Sequence, residues 1–96
     1  MSKFTPGPWV IDWNVSRLDI FGADETTLVA SLRRSTLSQA IDEAARSNAR
    51  LIAAAPDLLA TLAEAHDIID AIGQPETAEV AARMRAVIAK AKGEQG

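Results

Sequence analysis

The side chains that could do chemistry are few. His66 is the lone histidine, and Asp70 follows it by four residues, so the two could share a metal. One imidazole and one carboxylate are too few ligands for a strong site, and a packed or interfacial histidine is the simpler reading. The serines (Ser2, Ser16, Ser31, Ser35, Ser38 and Ser47) stand in no nucleophile-elbow context. The glycines are scattered and form no phosphate-cradling loop. We therefore assign no catalytic residue, no metal ligand and no cofactor, and expect a protein that is not an enzyme.

Two groups of residues suggest binding instead. Arg33 and Arg34 are adjacent, and Arg17 could come near them. Clustered guanidinium groups can grip phosphate or carboxylate in a fork; the plainer alternative is a solvated strand end. Trp9 and Trp13 form the second group. Tryptophan is frequent at binding hot spots, but in a thin core both rings are expected to pack beneath the helices.

Composition narrows the classes further. Ninety-six residues make a single domain, 1–96. The net charge of -3 argues against a general nucleic-acid binder, whose affinity rests on a basic surface. The absence of cysteine excludes disulfides, thiol catalysis and Cys-based zinc sites, and fits a reducing cytosol. The opening Met1-Ser2-Lys3-Phe4-Thr5-Pro6 has no apolar core of a signal peptide. No run approaches the roughly 20 apolar residues of a membrane span. Much of the apolar content is alanine, which favours helix but buries little area, so self-association as a homodimer is expected to supply missing burial.

The elements that must position these residues can be read in order. Thr5-Pro6-Gly7-Pro8 cannot be helix, because each proline fixes its own φ and restricts the residue before it. Trp9–Trp13 alternates, which predicts a half-buried strand. Arg17–Phe21 and Thr26–Leu32 predict two more, with turns at Asn14-Val15-Ser16 and Gly22-Ala23-Asp24-Glu25. Strands this close imply an antiparallel meander over 8–33. Its inner face should collect Trp9, Ile11, Trp13, Leu18, Ile20, Leu28 and Leu32. The helical part, 38–92, is expected to cover one face of this sheet, giving an α+β fold. Ser38 is a candidate N-cap. Gly73 and Pro75 separate the second helix from the third.

Two helices with a sharp joint at Ala55-Pro56 are expected, a single kinked helix being the alternative. Pro56 has no N–H and suits the first turn of a new helix, with Asp57 near its positive end. Ile41, Ala44, Ala45, Asn48, Leu51, Ile52 and Ala55 recur at steps of three and four and should share one face. Asn48 is the polar member of that face. Buried, its amide would need a partner, and a tie to main chain in the N-terminal segment is the expected solution, with a ligand-binding amide as the alternative.

Two motifs, Thr5-Pro6-Gly7-Pro8-Trp9 and the segment from Asn48 through Ala53-Ala54-Ala55-Pro56 to Leu59, resemble those of small phage and prophage proteins of unknown function. The resemblance runs to Leu59 and leaves the third helix outside. It implies a phage-encoded accessory protein in a bacterial cytoplasm and brings no catalytic residues with it. The leading expectation is a non-enzymatic protein that binds a host protein, for instance to inhibit a defence or regulatory factor. The alternatives are sequestration of a nucleotide-like anion by Arg33 and Arg34, and a structural oligomer. DNA binding by the helices is not expected, since none is basic enough to resemble a recognition helix.

Overall fold

The computed structural model describes residues 4–93. Their order is β1 (Val10–Trp13), β2 (Arg17–Phe21), β3 (Leu28–Arg33), α1 (Gln39–Ala53), α2 (Ala55–Ile72) and α3 (Pro75–Ala91). The sheet runs β1-β2-β3 and both pairings are antiparallel. This is the expected α+β arrangement, a three-stranded meander followed by three helices. The chain divides into two compact units, Thr5–Pro56 and a second from Asp57 on. The division falls at the Pro56 joint, so α1 belongs with the sheet.

In the first unit the core is small. Leu18 and Ile20 are fully buried on β2, against Ala45 and Ala49 of α1. Trp9, Ile11, Val29, Ala30, Leu32, Ile52 and Ala53 pack around them. Small alanines let the helix axis approach the sheet closely, so α1 settles on its narrow alanine face. That choice overturns part of the expected apolar face. Ile41, Ala44, Asn48 and Leu51 point outward and are exposed.

A second correction lies in β3. Ile20 faces Ala30 but Phe21 faces Leu28, so Val29 is an extra residue at a β-bulge. The bulge shifts the alternation by one. Val29 joins the core and Leu28, expected inside, is 56% exposed. Trp13 is the third correction. It ends the edge strand β1 and is 48% exposed, with the Arg50 guanidinium 5.3 Å from its ring centre, a cation–π contact.

The helix boundaries follow their local chemistry. Ser38 caps α1, its hydroxyl accepting from the Ile41 N–H at 3.3 Å. Pro56 is the second residue of α2, where its missing N–H is tolerated. Gly73 takes φ +66° after α2, and Pro75 opens α3. In the second unit Leu59, Leu62, Ala63, Ala65, His66 and Ile69 are the more buried positions of α2, and Thr77, Ala81, Met84, Ile88 and Ala89 those of α3. Asp70 and Arg85 link the two helices at 3.7 Å. No helix among the described residues is long and apolar enough to cross a membrane.

Candidate functional site

The arginines come together on the sheet, but most of their charge is already engaged. Arg17 and Arg33 are directly opposed across β2 and β3, a repulsive pairing by itself. Asp19, two residues along on the same face as Arg17, relieves it. Its carboxylate accepts from Arg17 Nε at 2.9 Å, Ser31 Oγ at 2.6 Å and Asn14 Nδ2 at 3.3 Å. Asp19 is only 5% exposed although it lies on the face away from α1. The Ser31 hydroxyl first, and then Arg17, hold its pKa below the usual carboxylate value.

Arg34 is more firmly committed. It forks onto Asp42 of α1 with Nε to Oδ1 and Nη2 to Oδ2 both at 2.9 Å. Its Nη1 also donates to the Asn14 carbonyl at 2.9 Å. This clamp ties the exit of β3 to the start of α1 and the first turn, and it depresses the Asp42 pKa. Arg46, four residues along α1 from Asp42, stands further off at 3.8 Å. Arg33 alone of the three has no ion pair among the described residues. A shallow depression of about 370 Å³ beside it is lined by Arg33, Arg34, Ser35, Thr36, Leu37 and Ile41. A two-pronged anion site would have to pull Arg34 off Asp42.

The proline-rich lead is a buckle. The Trp9 indole N–H donates to the Thr5 carbonyl at 2.9 Å, and the Ala23 N–H reaches the Pro6 carbonyl at 3.4 Å. Gly22 and Gly7 are both sites of close approach. A Cβ on Gly22 would meet Thr5 Cγ2 at 2.5 Å, and one on Gly7 would meet Pro56 Cβ at 2.7 Å. The two sequence motifs therefore touch, backbone against proline ring. Asp24 closes the same turn by accepting from the Thr27 N–H, the Thr27 hydroxyl and the Thr26 N–H. Those bonds, the Thr27 N–H first, hold its carboxyl far below the usual range. A second depression, about 320 Å³, lies here between Thr5, Pro6, Ala23, Asp24 and Thr27.

The remaining candidates separate cleanly. Asn48 is exposed and its amide makes no hydrogen bond among the described residues. The expected main-chain tie is absent because α1 presents its alanine face, not the Asn48 face, to the sheet. The His66 side chain is 15% exposed, with Nδ1 3.3 Å from Asp67 and a buried Nε2 that has no partner among the described residues. Asp70 pairs with Arg85 and not with His66. No group of three or more metal-ligating side chains forms among the described residues. Sequence reasoning missed Asp19. Its signal was available: Arg17 and Asp19 are two apart, hence on one face of a strand.

Several large apolar side chains on or beside the helices are exposed. Leu37, just before α1, is 98% exposed, and Ile41 and Leu51 on α1 are 62% and 64% exposed. Leu58, Ile68 and Ile72 are 54%, 59% and 55% exposed on α2. The molecule is thus a small α+β protein whose Arg17 and Arg34 are paired within the fold and whose helices expose several large apolar side chains. The chain belongs to the family of Salmonella phage P22 protein Y8K6, whose model matches residues 1–95. That match carries the phage relationship through the third helix, beyond the motifs that suggested it. No curated protein and no solved structure matches the chain.

Proposed function

We propose that this phage-family protein acts without catalysis, by binding a basic host protein through the outward side of α2. The observation that supports this is charge segregation on that helix. The helix carries no Lys or Arg and four carboxylates: Asp57, Glu64, Asp67 and Asp70. Leu58, Ile68 and Ile72 share one side of the helix, with Asp57 and Glu64 along its edge. An apolar strip with an acidic margin suits a basic surface with an apolar centre, as nucleic-acid-handling defence and regulatory complexes present. Sequestration of an anion is the weaker reading, because Arg17 and Arg34 are held by Asp19 and Asp42.

The test uses tagged protein purified from its bacterial host at low salt, beside a Glu64→Lys/Ile68→Ser variant. Both substituted side chains are exposed, so the variant should fold. A discrete host protein should be retained by the native chain, released by roughly 0.5 M salt, and lost from the variant. Equal retention by both, or retention indifferent to salt, would refute the reading.

A further inference from the structure

Helix α1 has two apolar sides, and the sheet uses one. The other carries Ile41, Ala44, Asn48 and Leu51 at steps of three, four and three, which is the a-d-a-d spacing of a helix-to-helix seam. Ala40 and Ser47 border it and are small and exposed, so a second helix can approach closely. Asn48 is the polar group of this seam and has no hydrogen bond within the chain among the described residues.

We propose that this side of α1 is the seam of a homodimer, in which Asn48 pairs with its counterpart in a second copy across a twofold axis. The occupant follows from the amide. A purely apolar partner helix would strand Asn48 as an unsatisfied buried group. A second copy offers a matching carbonyl and amino group at the same height, and a twofold contact satisfies both at once. A lone Asn at an a position is also the device that fixes two-stranded pairing and register. This seam is independent of the acidic strip on α2. One helix face falls short of the roughly 800 Å² per partner of a stable complex, so the dimer should be weak and dissociate on dilution.

The natural absence of cysteine makes the test clean. Sedimentation of the native chain across a dilution series should show a monomer–dimer equilibrium. Leu51→Glu, at a 64% exposed position, should remain folded by circular dichroism and be monomeric throughout. Asn48→Cys should form a disulfide-linked dimer under mild oxidant, since that bond requires Cα atoms within about 7 Å. Val15→Cys, 86% exposed in the β1–β2 turn, should not. A native chain that stays monomeric up to about 100 μM, a Leu51→Glu protein that still dimerises, or equal trapping at positions 48 and 15 would overturn the proposal.

Discussion

Gly7→Ala is the sharpest probe of the buckle. The added methyl would lie 2.7 Å from Pro56 Cβ and 3.0 Å from its Cγ, where carbon atoms prefer about 3.5–4.0 Å. The proline-rich lead must then lift from the α1–α2 joint by roughly an ångström. Overpacking of this kind costs about 1–3 kcal/mol. Alanine also restricts the unfolded chain, which returns about 0.4–1 kcal/mol. The net expectation is a loss of about 1–2 kcal/mol. At about 4–8 °C per kcal/mol, Tm should fall by roughly 5–15 °C. Urea unfolding followed by circular dichroism should show a lower midpoint at unchanged slope. Pro56→Gly removes the ring that the methyl strikes, at a helix-propensity cost of its own. In that background Gly7→Ala should cost much less, a coupling of about 1 kcal/mol. Equal losses in both backgrounds would mean that Gly7 matters for its own backbone and not for its contact with Pro56, and the reasoning would fail.

Other expectations follow from the same geometry. Leu18→Ala, at a fully buried site, should cost about 2–5 kcal/mol, whereas Leu28→Ala, turned out by the bulge, should stay within about 0.5 kcal/mol; urea midpoints separate them. Arg34→Ala should lower Tm by breaking the fork to Asp42, while Arg33→Ala should leave it nearly unchanged. Asp19, Asp24 and Asp42 all have folded pKa values below their unfolded ones, so they contribute stability above about pH 4 that is lost as pH falls through the folded values. Midpoints measured from pH 7 to pH 2 should drop at the acid end, and the drop should shrink in Asp42→Asn. Asn48→Ile should tighten self-association and loosen its strict twofold stoichiometry in sedimentation, because a seam Asn trades affinity for a defined oligomer.

The strands and the helix order were legible because period-two and period-three-to-four patterns are local. Gly, Pro and Ser38 marked the breaks by chemistry that is also local. Three features escaped for non-local reasons. The bulge at Val29 depends on how β3 fits β2 and leaves no mark in β3 alone. The rotation of α1 depends on which of its two apolar sides the sheet can approach, and the bulkier one lost to Ala45 and Ala49. Trp13 sits at the end of an edge strand, where alternation places it but not what covers it. For the candidate site, the proximity of Arg17 to Arg33 was readable from the meander. So was the Arg17–Asp19 pair, two apart on one strand; the Ser31 bond to Asp19 was not, because it required the register that sets the two opposite each other.

The central claim is that the outward side of α2 meets a host protein. A photo-crosslinking amino acid at Ile68, compared with one at Val15, tests it inside the host cell. The account predicts one discrete adduct from position 68, absent from position 15 and lost when Glu64 is changed to Lys. No adduct at position 68, or the same adduct from both positions, would contradict it.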